Sequence, residues 1–150
     1  MTVVAWDGTT LAADKRVTYQ GLACTVTKIF RVGDKLVGFS GNGDQAMEML
    51  AWFREGADFR TFPQSQRSKE DWVATLVINA DGSAMDFERT PFPYPLEDRF
   101  LAIGSGRDYA LAAMHLGKTA REAVEIACLF DAGCGNGVDE LKLKTEGKTA

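Results

Sequence analysis

Short β-prone segments joined by very tight turns fill much of this chain. The turns Asp7-Gly8, Gly33-Asp34 and Ala80-Asp81-Gly82 each separate two such segments, and turns of this length and composition favour β-hairpins. Because the two strands of a hairpin run antiparallel, the chain is predicted to form antiparallel sheets. The predicted strands cover residues 2–6, 9–13, 22–32, 35–40, 72–79, 83–88, 99–103 and 138–143.

Helical segments lie between groups of these strands. They are predicted at residues 44–55, 108–116 and 119–130. In the first, Met47, Leu50 and Ala51 fall at helical spacing, and Asp44 favours the helix N-terminus. Thr119 begins the third with the pattern of a capping box. Helices grouped between hairpins favour an α+β arrangement in which helical layers pack on the outer faces of the sheets.

The remaining segments and the length complete the predicted organisation. Residues 56–71 are polar and irregular, and predict a loop with at most a short helix. Residues 90–95 hold three prolines and predict an extended connection. The 150 residues fit one domain, over positions 1–150, with a sizeable core.

Charge and hydropathy exclude two classes of partner. The net charge of −4 predicts no general attraction to nucleic acid, and Lys142, Lys144 and Lys148 are interpreted as a solvated end. No apolar run approaches the roughly 18 residues needed to cross a membrane. No basic and apolar leader opens the chain, so we expect a cytoplasmic protein with no propeptide beyond Met1.

The cysteine and histidine content argues against disulfides and metal. Cys24, Cys128 and Cys134 are odd in number and form no C-x-x-C pair, so a disulfide framework is not expected. His115 is the only histidine, and a zinc site is therefore not expected. A Ser-His-Asp triad would need this same residue, which follows an apolar helical stretch and is interpreted as a surface or packing residue. We expect no metal and no cofactor.

A glycine-rich motif leaves one alternative open. Gly41-Asn42-Gly43-Asp44-Gln45-Ala46 matches a short dinucleotide-binding fingerprint between a strand and a helix. Hairpins precede it where a parallel β-α-β unit would begin. A nucleotide-binding module is therefore the weakest of the functional alternatives.

Separated segments along nearly the whole chain carry a family resemblance. Thr2 leads the first strand, and Thr27-Lys28-Ile29 contains a lysine that follows a β-prone run. The other matching segments are Ala12-Ala13-Asp14-Lys15-Arg16-Val17-Thr18, Gly38-Phe39-Ser40-Gly41, Ala102-Ile103-Gly104-Ser105-Gly106 and Asp131-Ala132-Gly133-Cys134-Gly135. Together, in this order, they resemble the proteasome β-subunit and HslV peptidase family of N-terminal nucleophile hydrolases.

The resemblance implies a fold and an activity. The fold would be a four-layer αββα sandwich of two antiparallel sheets, and the activity that of a threonine-type endopeptidase acting on peptides or unfolded polypeptides. Removal of Met1 would expose Thr2, whose hydroxyl would attack the peptide bond. A free α-amino group titrates near pH ~8 and would accept the hydroxyl proton, as in the N-terminal threonine variant of the nucleophile–base pair.

The resemblance also implies roles for other residues. Lys28 would lie beside the Thr2 hydroxyl, with Asp14 holding the lysine in place, and the backbone N–H of Gly41 would donate to the oxyanion. Ser105 and Asp131 would support the Thr2 amine. We assign Thr18 and Cys134 to substrate binding; the family usually has serine at position 134, tyrosine at position 133 and a second glycine at position 42.

Assembly and alternatives follow from the same resemblance. We expect a homo-oligomeric ring, with an ATP-dependent unfoldase as a partner. Two alternatives to the peptidase stay open besides the nucleotide-binding module. One is a non-catalytic scaffold ring protein with the same fold, and the other is an N-terminal nucleophile amidase that acts on small amides.

Overall fold

Two antiparallel sheets stack at the centre of the structure, a computed structural model that describes residues 1–67 and 70–144. The strands are β1 (Val4–Trp6), β2 (Thr10–Asp14), β3 (Arg16–Tyr19), β4 (Leu22–Thr25), β5 (Ile29–Val32), β6 (Lys35–Gly41), β7 (Val73–Ile78), β8 (Ala84–Phe87), β9 (Tyr94–Leu96), β10 (Leu101–Ile103) and β11 (Val138–Lys142). The helices are α1 (Gly43–Arg54), α2 (Arg107–His115) and α3 (Ala120–Phe130), with 3₁₀ turns at Phe59–Thr61 and Gln64–Arg67.

The strand order differs between the two sheets. The first sheet has the order β10-β1-β2-β11, so that the start of the chain lies at its centre and the last strand at its edge. The second sheet has the order β5-β6-β7-β8-β9, which is also the order of these strands along the chain, and α1 lies in the connection from β6 to β7. Strands β3 and β4 form a separate hairpin. Every neighbouring pair is antiparallel, as the turn dipeptides predict.

Alternate side chains of β1 and β2 face opposite layers, because successive residues of a strand point to opposite faces of its sheet. Ala5 and Ala12 contact helices α2 and α3 in one buried cluster. Trp6 and Leu11 belong to a second cluster between the two sheets. Since both faces of these strands are covered, all of their side chains are buried.

The third buried cluster lies between the second sheet and α1. It contains Phe39 and Val77 from the sheet and Met49 and Trp52 from the helix. The layers therefore run helix, sheet, sheet, helix, which confirms the predicted αββα sandwich.

The helix ends follow local sequence signals. Thr119 and Glu122 form the predicted capping box at α3. At α1 the acidic Asp44 lies in the first turn, as predicted, and the Asn42 side chain caps the helix by accepting a hydrogen bond from the Gln45 N–H. The buried face of α1 differs from the predicted stripe, since Met47 is 51% exposed.

Two predicted segments are paired differently from expectation. Residues 22–32 form two strands, because β4 pairs with β3 whereas β5 pairs with β6. The pattern did not predict β3. The connection at residues 90–95 ends in strand β9, which pairs with β8 at the sheet edge and contains Pro95, a position where a missing N–H is tolerated.

The structure also bears on the predictions about nucleotide binding, membrane spans and the lysines near the end of the chain. Strand β6 is antiparallel to both of its neighbours, so the parallel unit of a dinucleotide-binding fold does not form around Gly41. No helix of the described residues has the length and hydropathy of a membrane span. Lys148 lies outside the described residues.

Candidate active site

A buried ion pair forms the base of the candidate site. Asp14 ends β2 and Lys28 lies between β4 and β5, and the Lys28 Nζ is 2.8 Å from the Asp14 Oδ1. The Asp14 side chain is fully buried and that of Lys28 is 8% exposed. The stacking of the two sheets therefore buries this pair, whereas most ion pairs of proteins lie at the surface.

Backbone donors complete the shell around the Asp14 carboxylate. Oδ1 also accepts the Val3 N–H at 3.1 Å, and Oδ2 accepts the N–H groups of Arg16 at 3.2 Å and Gly135 at 3.1 Å. A buried carboxylate is costly unless its charge is paired and its oxygens are hydrogen-bonded, and here both conditions are met. The direction of the Lys28 side chain is therefore fixed by a rigid acceptor.

Thr2 lies between Lys28 and the segment that precedes α2. Its Oγ1 is 3.2 Å from the Lys28 Nζ, and its N–H donates to the Ser105 Oγ at 3.2 Å. Its carbonyl accepts the Gly106 N–H at 3.1 Å. Gly104 has a φ of +96°, and a Cβ at that position would overlap the Thr2 carbonyl. Glycine therefore lets the two backbones meet closely here.

Ser105 connects Thr2 to a carboxylate at the end of α3. The Ser105 hydroxyl donates to the Asp131 Oδ2 at 2.6 Å, and the Gly133 N–H donates to Oδ1 at 2.9 Å. The hydrogen bond from Ser105 contributes most to lowering the pKa of Asp131 below its ordinary value, with support from Gly133 and Cys134. Asp131 is thus held as a carboxylate, and it orients the serine that contacts the Thr2 nitrogen.

Cys134 belongs to this network and not to the substrate cavity. Its Sγ lies 3.4 Å from the Asp131 Oδ2, and its side chain packs in the buried cluster that contains Val3 and Ala127. Burial, together with the negative charges of Asp14 and Asp131, raises the pKa of the Cys134 thiol to about 12. The thiol therefore stays neutral and acts as a weak donor to Asp131.

A cavity of about 450 Å³ opens beside Thr2 and Lys28. Most of its wall is apolar and comes from the chain between β3 and α1. Its residues include Val17, Val26, Phe30, Phe39, Ala46 and Met47. Gly41 and Arg16 also line it, whereas Thr18 is exposed on β3 and is not among the lining residues. Val17, the residue before Thr18, lines the cavity.

Gly41 is backed by the start of β7. It has a φ of +131°, and a Cβ there would lie 2.6 Å from the Trp72 carbonyl oxygen. Any other residue would therefore push this wall of the cavity away from Trp72 or clash with it.

Met1 still covers the Thr2 nitrogen in this chain. Its carbonyl accepts from the Lys28 Nζ at 3.1 Å, and its side chain lies against Gly133. As long as this peptide bond exists, the Thr2 nitrogen is an amide and cannot accept a proton. The arrangement becomes a nucleophile–base pair only once the bond to Met1 has been cut.

Two residues that tie the site together were not predicted. The Arg16 Nε donates to the Asn136 Oδ1 at 2.9 Å, and the Asn136 Nδ2 donates to the Thr25 Oγ1 at 3.0 Å. The Arg16 Nη1 also donates to the Ala132 carbonyl. These bonds join the β3–β4 hairpin to the loop that carries Asp131. No local pattern signals such contacts, since they join residues more than a hundred positions apart.

Comparisons with known proteins place the chain among related sequences and folds. No protein-family model matches it. It is 25% identical to proteasome subunit beta 1 of Thermococcus kodakarensis, over 97% of this chain and 87% of that protein. It is 26% identical to proteasome subunit beta 1 of Hyperthermus butylicus, over 91% of this chain and 83% of that protein.

Solved structures show the same fold. Thiobacillus denitrificans BPH in complex with epoxomicin superposes with a TM-score of 0.69 at 21% identity, covering 96% of this chain and all of that one. Eukaryotic HslV from Trypanosoma brucei superposes with a TM-score of 0.69 at 20% identity, covering 95% of this chain and 98% of that one. The chain is therefore similar in sequence to proteasome β subunits and has the N-terminal nucleophile hydrolase fold that HslV also has.

Proposed function

We propose that this chain is a threonine peptidase subunit in which Thr2 begins the mature chain and its hydroxyl attacks the carbonyl of a peptide bond. One observation carries the proposal. The Thr2 hydroxyl, the Lys28 Nζ and the Ser105-bound Thr2 nitrogen converge beside an apolar cavity.

The reaction needs a base for the threonine hydroxyl. After Met1 is removed, the free amine of Thr2 takes the hydroxyl proton, and the Lys28 ammonium favours the negative charge that develops on Oγ1. The attack forms a tetrahedral intermediate, which collapses to an ester on Thr2. The proton passes from the Thr2 amine to the leaving amine, and water then hydrolyses the ester.

The remaining residues position these groups. Asp14 orients Lys28, while Ser105 and Asp131 orient the Thr2 amine. The N–H of Gly41 stabilises the oxyanion, a contribution that in other hydrolases amounts to roughly 3–4 kcal/mol per donor. Cys134 holds Asp131 and does not touch the substrate in this proposal.

The cavity indicates the substrate. Its wall carries Phe30, Phe39 and Met47, so it favours a large apolar side chain next to the scissile bond. The relatives are named as proteasome subunits and HslV, which supports a homo-oligomeric ring that acts on unfolded polypeptides, with an ATP-dependent unfoldase as partner.

The test begins with the intact mass of protein made in a normal host. We expect the mass of a chain that starts at Thr2. A covalent inhibitor directed at N-terminal threonines should then add its mass to this protein and not to Thr2→Ala. Epoxomicin is a suitable first compound, since the similar Thiobacillus denitrificans protein has been seen in complex with it.

Two outcomes would favour the alternatives. Retention of Met1 in all of the native protein would contradict the peptidase and favour the non-catalytic scaffold. Turnover of small acyl-amides, with none of fluorogenic peptides that carry an apolar residue before the cleaved bond, would favour the amidase.

A further inference from the structure

Asn42 makes two side-chain hydrogen bonds at the end of β6, at the position where the resemblance has a second glycine. Its Oδ1 accepts the Gln45 N–H at 3.1 Å and caps α1. Its Nδ2 donates to the Asp71 Oδ2 at 2.8 Å. A glycine at position 42 would make neither bond. Asn42 therefore connects two segments that a chain with glycine at this position could not connect through a side chain.

The segment that Asn42 holds is the one behind Gly41. Asp71 directly precedes Trp72, whose carbonyl oxygen lies against the Cα of Gly41 so closely that no Cβ fits between them. The Gln45 Nε2 donates to the Asp71 carbonyl at 2.9 Å. Asn42 and Gln45 together therefore clamp residues 71–72 against the turn from β6 into α1.

This clamp lies directly behind the backbone of Gly41. Gly41 lines the same cavity as Thr2 and Lys28, and it has no side chain of its own to hold it. A donor to an oxyanion must lie within a few tenths of an ångström of its working position to be effective. Movement of Trp72 away from Gly41 would remove the wall that limits this freedom.

We propose that Asn42 is a positioning residue, which holds the oxyanion donor Gly41 in place through its hydrogen bond to Asp71. The catalytic part of this inference rests on the proposed peptidase function. The geometric part, that the Asn42–Asp71 bond restrains the backbone at Gly41, does not.

Three variants distinguish the effect of the Asn42–Asp71 hydrogen bond from the effect of the Asn42 cap on α1. Asn42→Asp keeps an oxygen that caps α1 equally well, but it loses the donor and places two carboxylates side by side. The double variant Asn42→Asp with Asp71→Asn restores one amide and one carboxylate. In it the direction of the hydrogen bond is reversed. Asn79→Asp, on the exposed β7–β8 turn, is the matched control.

Two measurements are made on each variant. The first is kcat and KM for a fluorogenic peptide, with Thr2→Ala as the blank. The second is hydrogen–deuterium exchange of the peptide that spans residues 40–46, which needs no turnover. For Asn42→Asp we expect kcat to fall about tenfold with KM nearly unchanged, and exchange in this peptide to rise. The double variant should restore kcat and the hydrogen–deuterium exchange of this peptide, and Asn79→Asp should change neither quantity.

The outcomes distinguish this inference from the proposed function. If the unchanged protein shows no Thr2-dependent turnover, the peptidase proposal fails, and the exchange measurement alone decides whether Asn42 restrains Gly41. If turnover exists and Asn42→Asp keeps the kcat of the unchanged protein, the positioning role is wrong. The positioning role is also wrong if the double variant folds normally but does not restore kcat.

Discussion

The Lys28 Nζ lies 3.2 Å from the hydroxyl oxygen of Thr2, although the two residues are separated by 26 positions. The same nitrogen is held by the buried Asp14 carboxylate. A cation beside a threonine hydroxyl stabilises the alkoxide-like form that a nucleophile needs. The position of this one nitrogen therefore connects the stability of the core with the proposed chemistry.

Replacing Lys28 should cost more stability than replacing a surface lysine. Lys28→Met leaves the buried Asp14 carboxylate without its counter-charge, and we expect the free energy of unfolding to fall by about 3–5 kcal/mol. The variant should also lose activity. Urea unfolding at pH 7 measures the first effect, and peptide turnover the second.

Lys15→Met is the matched control for this change. Lys15 forms a shorter pair with Asp139, at 2.6 Å, but these side chains are 21% and 34% exposed. We expect a loss of about 0–1 kcal/mol. Equal losses for the two variants would show that the burial of the Lys28 pair does not matter.

Replacing Ser105 should lower kcat and raise the pKa of Asp131. Ser105→Ala removes the hydrogen bond that contributes most to the lowered pKa of Asp131, so that pKa rises. A carboxylate with a lowered pKa loses its charge only as the pH falls through that low value. In the variant this loss occurs at a higher pH, which an NMR titration of the Asp131 carboxyl group measures, and kcat is lower by about tenfold or more.

Ser83→Ala serves as the control for Ser105→Ala. The Ser83 hydroxyl donates to the Asp81 Oδ1 at 2.6 Å in the exposed β7–β8 turn, which is the same chemistry far from Thr2. Its kcat and the pKa of its Asp131 should match those of the unchanged protein. If Ser105→Ala also matched it, Ser105 would have no part in orienting the Thr2 amine.

Gly41 and Gly43 should respond differently to the same substitution. Gly41→Ala places a Cβ 2.6 Å from the Trp72 carbonyl at a φ of +131°, whereas a Cβ at Gly43 meets nothing within 4 Å. We expect Gly41→Ala to lower kcat by about a hundredfold through displacement of the oxyanion donor. Gly43 begins α1 and lines the same cavity, so Gly43→Ala should keep kcat and change only KM, with equal or higher stability because alanine favours the helix. Steady-state kinetics and thermal unfolding test both, and equal kcat values would contradict the role of Gly41.

Asp86 should make the protein less stable as the pH rises towards neutrality. Burial raises the pKa of Asp86 to about 7, with support from the hydrogen bond and negative charge of Glu88. An unfolded aspartate titrates near pH ~4, so the folded protein binds the extra proton between about pH 4 and pH 7. Stability from this group is therefore lost as the pH rises through that window.

Asp86→Asn removes this penalty and should raise the Tm at pH 8 while leaving it almost unchanged at pH 4. Asp81→Asn is a control of opposite sign, since hydrogen bonds from Ser83 lower the pKa of Asp81. That variant should not gain stability at pH 8. A Tm for Asp86→Asn that follows the unchanged protein at both pH values would show that Asp86 titrates normally.

Local chemistry in the sequence was enough to predict most elements of the fold. The turns at Asp7-Gly8 and Gly33-Asp34 and the capping box at Thr119 act over two to four residues, so their signals can be read without knowledge of distant contacts. Strand β3 was missed because it has only four residues and begins one residue after β2, so that no turn signal separates the two strands.

The candidate site could be predicted only through the resemblance and not from local pattern. The order of Thr2, Asp14, Lys28, Gly41, Ser105 and Asp131 along the chain was sufficient to nominate them. The roles of Thr18 and Cys134 could not be assigned in this way, because whether a side chain reaches a cavity depends on which face of its segment is covered. The structure instead brings Val17 to the cavity and buries Cys134 against Asp131.

By itself, then, the sequence determined the hairpins, the helices, their order and the residues available for chemistry, because turns, caps and periodicity are properties of neighbouring residues. Only the tertiary structure decided that the Asp14–Lys28 pair is buried, that Ser105 meets Thr2 across 103 positions, and that Asn42 reaches Asp71. These contacts form when the sheets and helices stack, and the burial that results turns ordinary polar residues into a preorganised site.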